Sequence, residues 1–269
     1  MVFESLILPS QAESKPVEML IYGMLITSVS ILVAYYIFPA QASLVFLFFV
    51  TLASVPTVAK ILQDEEVIDE GEEHLNIGFF KRHSRIIEIY GFLFLGILFA
   101  TSFWFTILPG SVSDILFSNQ INTIESINGA VGRATIGGSF DTIFQNNFRV
   151  AFIAFIASFF FGTGGLFILA WNASVIGVFI SLVAKEFSKI HMYPLFFGHI
   201  DALMSIALHG VPEIVAYFIA AISGGILSVG LIRGKHDIRI IKDSFLMFGI
   251  CTTILIGAAA IEAYVTPVL

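Results

Sequence analysis

The sequence predicts an all-α polytopic membrane protein, a bundle of about six to seven transmembrane helices. Hydrophobic residues make up 57% of the 269 residues and charged residues only 12%, which is more apolar surface than a soluble fold of this length can bury. Several continuous apolar segments reach the roughly 20 residues that a helix needs to cross a hydrocarbon core. Membrane-barrel strands alternate and are only about 9 to 11 residues long, so continuous runs favour helices.

Charge and cysteine content exclude several classes of protein. The net charge is −7, and seven acidic residues lie in the run Asp64–Glu73, so the acidity is one local patch. This composition excludes a nucleic-acid binder and a disordered chain. Cys251, the single cysteine, lies in an apolar run, so an intramolecular disulfide or a thiolate zinc site cannot form. We expect Cys251 to be a small buried hydrophobe, and we expect no cofactor and no metal.

Seven segments are long and apolar enough to be candidate spans, and the fifth is the weakest because its apolar core is short. The first is predicted to be a retained span, since no basic segment typical of a cleaved signal precedes it. The spans group into an N-terminal three-span unit (1–109), an extracytoplasmic segment (110–147) and a core bundle (148–269). The predicted spans are Val17–Phe38, Ser43–Leu62, Ile86–Leu108, Phe148–Trp171, Ala173–Val183, Ile214–Ile232 and Phe245–Val265.

Lysine and arginine collect in two short connections, which predicts the orientation of the chain. One connection joins the second and third spans around Lys81–Arg85, and the other precedes the last span around Arg233–Lys242. Four spans separate them, so both can lie in the cytoplasm. This arrangement places the N-terminus inside and the C-terminus outside, in a multi-pass protein of the plasma membrane.

The outer segment from Pro109 to Asn147 is too long for a simple connection. Its isoleucines and leucine recur at spacings compatible with one face of a helix. Two interpretations stay open, an interfacial helix and an ordinary packed loop. The apolar positions are Ile115, Leu116, Ile121, Ile124 and Ile127.

Polar side chains that interrupt apolar helices are the candidates for function, because each is costly near the bilayer centre. One set enters the fourth span, one residue lies where that span meets the fifth, and the rest lie in or near the last apolar segments. Under the predicted topology Arg149, Glu213 and Glu262 all approach the outer leaflet. The candidate residues are Asn146, Asn147, Arg149, Asn172, His209 and Glu213, with His199, Asp201 and Glu262 as accessory positions.

The string from His209 to Glu213 is typical of a helix start. Pro212 suits the first turn because it lacks an amide hydrogen, and Glu213 complements the positive end of the helix dipole. One interpretation is a capped helix whose Glu213 pairs with Arg149 in an ion pair that fastens the fourth span to the sixth. The other is a broken helix lining a transport site. Asn147 and Asn172 are predicted to satisfy backbone groups at the ends of the fourth span.

Hydrolytic chemistry has little support in these patterns. No HExxH string occurs, and Gly210 and Pro212 between His209 and Glu213 disfavour a two-ligand zinc face. Ser223-Gly224-Gly225 lacks the histidine support that a serine nucleophile needs. An intramembrane hydrolase is therefore only a third alternative. The aromatic stripe of the fourth span is predicted to be packing, and consists of Phe148, Phe152, Phe155 and Phe159.

Several of these strings together resemble the stage II sporulation protein M family. They are Phe144 to Ala151, the glycines at 162, 164 and 165, Trp171-Asn172, and His209 to Ile214. The front half, with Glu4 to Ile7, the acidic patch and Phe80 to His83, is similar to the archaeal branch of that family. Ala173 departs from the family pattern, which commonly has glycine after the asparagine.

The resemblance implies a multi-pass scaffold and not a catalyst. In endospore-forming bacteria the namesake holds a peptidoglycan-degrading complex at the engulfing septum, and its partners do not carry over to an archaeal relative. We therefore expect a non-catalytic organiser of a membrane complex, with a transporter or permease subunit as the alternative. In that alternative, spans four, six and seven form the polar path. The expected partners are the lipid bilayer, proteins that the sequence does not identify and a second copy of the chain, but no nucleic acid.

Overall fold

The computed structural model of the protein describes residues 15–71, 79–131, 140–232 and 238–265. Within these ranges all regular structure is helical, which confirms the predicted all-α class. Three parts of the sequence discussed above lie outside the described residues. They are the acidic side chains of 64–73, the glycine-rich stretch 132–139 and most of the basic residues in the two connections predicted to be cytoplasmic. The helices are α1 (Glu18–Ile37), α2 (Ala42–Gly71), α3 (Phe79–Ile107), α4 (Gly110–Leu116), α5 (Ser118–Val131), α6 (Phe140–Phe161), α7 (Gly165–His191), α8 (Leu195–Ile232) and α9 (Ile238–Tyr264).

Seven of these helices are long and apolar enough to cross a membrane, namely all except α4 and α5. Each candidate span overlaps one that the sequence predicts, although the boundaries of spans four, five and six differ by eight residues or more. The chain is therefore a multi-pass membrane protein with seven candidate spans. Cys251 is fully buried in α9, as expected of a small apolar core residue.

The turn between the fourth and fifth spans lies at Gly162–Gly164, about ten residues before the predicted boundary at Asn172. Gly162 has a φ of 67°, a left-handed conformation that glycine adopts without strain and that ends a helix. Asn172 lies inside α7 and does not end a helix; its side-chain amide donates to the Ile168 carbonyl oxygen one turn earlier at 2.7 Å. The predicted fifth span is consequently a full 27-residue helix, α7.

The sixth span begins 19 residues earlier than predicted, at Leu195 and not at Ile214. Helix α8 runs unbroken from Leu195 to Ile232, with Pro212 inside it. The predicted helix start at His209 to Glu213 is therefore wrong. Proline removes a single amide from the helix hydrogen bonds and can be tolerated in a transmembrane helix where neighbouring groups compensate. At 38 residues, α8 is about 57 Å long, nearly twice the thickness of a hydrocarbon core.

Small residues allow the helix backbones to approach each other closely at three crossings. Helices α1 and α3 meet at Gly23 and Gly96, where a Cβ on either residue would press on the backbone of the other helix. Gly177 of α7 lies against the Leu98 carbonyl of α3, and Gly224 of α8 lies against the Phe155 carbonyl of α6. Gly177 and Gly224 are therefore packing residues, since any side chain there would separate the helices.

The outer segment forms two helices, α4 and α5, that pack into the bundle. Neither predicted alternative describes this arrangement, because Leu116, Phe117 and Ile124 are buried inside the protein and do not face a membrane interface. The Phe117 ring packs edge-on against Phe46 of α2 and Phe105 of α3. Segment 110–131 therefore packs against the transmembrane helices as part of the bundle.

Gln120 is the polar anchor of this segment. Its side chain has no exposed surface and bridges two spans: its amide donates to the Ser174 hydroxyl of α7 at 3.1 Å, and its carbonyl accepts from the Ser43 hydroxyl of α2 at 2.9 Å. The sequence analysis did not single out Gln120.

We expect Gln120→Ala to destabilise the protein by about 1 to 3 kcal/mol, because two buried hydroxyl groups lose their partner. Thermal unfolding in detergent measures the effect, with Gln145→Ala as the control because Gln145 is an exposed glutamine on α6. Equal melting temperatures for the two variants would show that the α4–α5 segment is not anchored by Gln120.

The number of spans between the two connections predicted to be cytoplasmic is even, as the predicted topology requires. Four spans separate Arg85 from Lys242, and three separate Arg85 from Met192. In a Cys251→Ser background, we expect cysteines at Arg85 and Lys242 to be labelled from the cytoplasmic side and a cysteine at Met192 from the other. All three native residues are exposed. Labelling of Arg85 and Lys242 from opposite sides of sealed vesicles would overturn the predicted topology.

Candidate functional site

A polar cluster lies where α6, α8 and α9 meet inside the membrane-spanning part of the protein. It contains Asn147 from α6, Glu213 and Tyr217 from α8, and Glu262 from α9. Helices α6 and α8 run in the same direction, since Asn147 contacts Tyr217 and, two turns later, Phe155 contacts Gly224. The sequence analysis assigned three of these four residues to the outer ends of spans four, six and seven.

Asn147 is the centre of the cluster. Its amide nitrogen donates a hydrogen bond to the Glu213 carboxyl group, and its side-chain carbonyl accepts one from the Tyr217 hydroxyl at 3.0 Å. Asn147 is buried. A buried amide that both donates and accepts satisfies two polar groups of α8 at once, so Asn147 connects α6 to α8.

The Glu213 and Glu262 carboxyl groups lie next to each other across the α8–α9 contact. Ionised carboxylates only accept hydrogen bonds, so a hydrogen bond between these two groups requires a proton on one of them. Sharing one proton also avoids two like charges side by side in a medium of low dielectric constant. The cluster can therefore hold a proton, and it has one negative charge when the other carboxyl is ionised.

Tyr217 is the member of the cluster that the sequence analysis missed. It lies four residues after Glu213, and residues at this spacing share one face of a helix. It is almost fully buried, and a buried tyrosine hydroxyl normally has a hydrogen-bond partner. The spacing from Glu213 was a signal that could have identified it.

The predicted ion pair between Arg149 and Glu213 is wrong. Arg149 is exposed, and among the described residues the Glu213 carboxyl contacts Asn147 and Glu262 instead. Two residues along an α-helix are about 200° apart around its axis. With Asn147 facing α8, Arg149 must point to the opposite side of α6.

The two asparagine predictions have different outcomes. Asn172 donates to a backbone carbonyl, as predicted, although it does so inside α7 and not at a helix end. Asn147 does not, because its partners are the side chains of Glu213 and Tyr217. Asn146 is exposed and contacts only the edge of the cluster, with its amide nitrogen 3.4 Å from the Asn147 side-chain oxygen.

The accessory residues His199 and Asp201 lie away from the cluster, near the start of α8. His199 contacts the Thr106 hydroxyl of α3 at 3.3 Å and the Leu195 carbonyl at 2.9 Å. Asp201 accepts a hydrogen bond from Tyr193, which lies between α7 and α8. This hydrogen bond, together with partial desolvation and the negative charge of Asp201, raises the pKa of Tyr193 to about 12. These contacts fasten the α7–α8 turn.

A cavity of about 220 Å³ adjoins the cluster between α5, α7 and α8. Glu213 and His209 line it together with apolar residues such as Ile124 and Phe179. The Nδ1 atom of His209 is buried and has no hydrogen-bond partner among the described residues. His209 is thus beside Glu213, as the sequence predicts, but it points into a cavity.

The remaining site hypotheses concern metal binding and the aromatic stripe. The described part of the chain contains no group of three or more His, Cys, Asp or Glu residues that could hold a metal ion. The stripe of α6 packs against α9, where Phe248 contacts Phe148 and Phe155 at ring-centre distances of 5.9 and 4.9 Å. This contact confirms the predicted packing role of Phe148 and Phe155.

Comparison with known proteins identifies the family of this bundle. No curated protein and no solved structure matches the chain. The family described as stage II sporulation protein M matches residues 86–267, more than half of the chain. The match covers α3 to α9 and every residue of the polar cluster. With its seven candidate spans and this match, the chain belongs to the stage II sporulation protein M family.

Proposed function

We propose that this protein is a non-catalytic scaffold that organises a membrane complex, in the plasma membrane and with its N-terminus in the cytoplasm. Family membership supports a role of this kind. The polar cluster supports it as well, because its hydrogen bonds connect α6, α8 and α9 to one another. The structural observation that carries the proposal is the shape of the α7–α8 hairpin.

The hairpin extends past the end of α9, while α3 on its other side accompanies it as far as Thr106, which contacts His199. Glu213 and Glu262 meet across α8 and α9, and α9 ends two residues after Glu262. Helix α8 begins 18 residues before Glu213, which corresponds to about 27 Å of helix. The first half of α8 and the last turns of α7 therefore extend well beyond the end of α9.

This extension exposes large apolar side chains beside charged ones such as Lys189 and Asp201. The side chains of Met192, Phe196 and Met204 are 92%, 70% and 70% exposed. Large exposed apolar patches are typical of surfaces that bind another protein or a membrane. We define these three residues as the hairpin patch, and we propose that the hairpin patch binds another protein of the complex, with a second copy of the chain as one candidate.

Purification of the tagged full-length chain from its native membrane tests the proposal. We expect partner proteins in a fixed ratio to the chain, and we expect the Met192→Ala, Phe196→Ala, Met204→Ala triple variant to lose them without a change in melting temperature. The matched control replaces three exposed residues of α1 and α2, Leu25, Phe48 and Leu52, with alanine. Unchanged partner yield in the hairpin variant, or an equal loss in the control, would contradict the proposal.

A transporter or permease subunit is the second candidate, and one observation favours it. Spans four, six and seven contribute the polar cluster, and the cavity with Glu213 and His209 lies beside it. Intramembrane carboxyl groups that share a proton are common in proton-coupled transport. A transporter requires that Glu213 release and take up a proton through the cavity. A scaffold requires only that the hydrogen bonds of the cluster hold α6, α8 and α9 together.

A further inference from the structure

A second, wholly apolar groove lies between α3, α7 and α8. Its volume is about 260 Å³, and every residue that lines it is apolar. Gly91 and Gly210 lie on opposite walls, and a Cβ at Gly210 would meet no atom within 4 Å. The lack of side chains at these two positions helps to keep the groove open.

The groove opens on the surface that faces the lipid. Leu95 and Val211 form part of its lining and are themselves exposed, and all three helices are membrane spans. Water does not fill apolar cavities readily. At this depth the surrounding medium is lipid hydrocarbon, so a hydrocarbon chain is the occupant that matches the lining.

The groove adjoins the cavity beside the polar cluster. Both are lined by Ile176, Ile206 and Gly210. A molecule that occupies both would have an apolar chain next to α3 and a polar end near Glu213 and His209. Glu213 and Glu262 provide negative charge there, and the unpartnered Nδ1 of His209 can accept a hydrogen bond. A cationic group with N–H donors complements these acceptors.

We propose that a membrane lipid with an ammonium headgroup binds here, with one hydrocarbon chain in the groove and its ammonium group in the cavity beside Glu213 and His209. The site would attach a bilayer component to α8, the helix that also contributes Glu213 and Tyr217 to the polar cluster. This binding is independent of whether the hairpin patch recruits a protein.

Native mass spectrometry of the purified full chain tests the proposal with two probes of identical hydrocarbon chains, phosphatidylethanolamine and phosphatidylcholine. The first has N–H donors and the second has none. We expect about tenfold stronger retention of phosphatidylethanolamine, because a charge-assisted hydrogen bond is lost with the other lipid. Glu213→Gln should remove this preference. Equal retention of both lipids by the wild-type protein would overturn the assignment of the headgroup.

Filling the groove tests the position of the hydrocarbon chain. Gly210→Leu should reduce retention of both lipids, whereas Gly257→Leu should not, because Gly257 on α9 is also a glycine with no atom within 4 Å of its Cβ position. Gly91→Leu fills the groove from the opposite wall. It replaces Gly210→Leu in the experiment if Gly210→Leu does not fold. Retention that is unchanged in the groove variants, or lowered equally in Gly257→Leu, would overturn the proposed site.

Discussion

Replacing Gly224 with alanine is expected to destabilise the protein by about 3 kcal/mol, the upper end of typical overpacking costs. A Cβ at this position would lie far inside contact distance of the Phe155 carbonyl oxygen. That oxygen belongs to the backbone of α6, so no side-chain rotation can relieve the contact. Helices α6 and α8 would have to separate along the crossing beside the polar cluster.

The matched control for this change is Gly257→Ala on α9, where a Cβ meets no atom within 4 Å. Alanine favours a helix over glycine by about 1 kcal/mol, so the control should be neutral or slightly more stable. Thermal unfolding in detergent compares the two variants. If both melt at the same temperature, the close approach of α6 and α8 at Gly224 is not required.

Asn147→Leu is expected to cost about 3 kcal/mol, because the Glu213 carboxyl and the Tyr217 hydroxyl both lose a buried partner. Leucine has a similar size, so the loss reports hydrogen bonding and not a cavity. The neighbouring Asn146→Leu is the control, since Asn146 is exposed and exposed substitutions usually change stability by at most about 0.5 kcal/mol.

A double-mutant cycle isolates the contact between Asn147 and Glu213. We expect the Asn147→Leu, Glu213→Gln double variant to lose less than the sum of the single losses, because the residues belong to one hydrogen-bonded network. Additive losses would indicate that the two side chains do not interact in the membrane.

Much of the fold was predictable because hydropathy alone decides which segments can enter a membrane. The seven spans follow from the apolar runs. The turns between them were less predictable. The fourth span ends at Gly162, whose φ of 67° suits glycine, whereas Asn172 lies inside α7 and donates to the Ile168 carbonyl one turn earlier. The sequence of α8 likewise did not reveal that its helix passes through Pro212.

The sequence identified most residues of the polar cluster, but it did not identify which of them contact each other. Depth along each span correctly suggested that Glu213 and Glu262 approach each other. The direction in which each residue points around its helix depends on the packing of the helices, and this direction decides that Asn147, and not Arg149, faces Glu213. Tyr217 could have been found from its position four residues after Glu213. Gln120 became visible only once its burial was known, because a single glutamine in this segment has no distinctive pattern.

Proton flux into proteoliposomes tests most directly whether the polar cluster only holds the helices of a scaffold together or forms part of a transport path. The purified chain is reconstituted with a pH-sensitive dye inside the vesicles, and a membrane potential drives proton entry. The scaffold account predicts that wild-type and Glu213→Gln vesicles acidify at the same rate as vesicles without protein. Faster acidification by the wild-type protein that disappears in Glu213→Gln would contradict the scaffold account and favour the transporter.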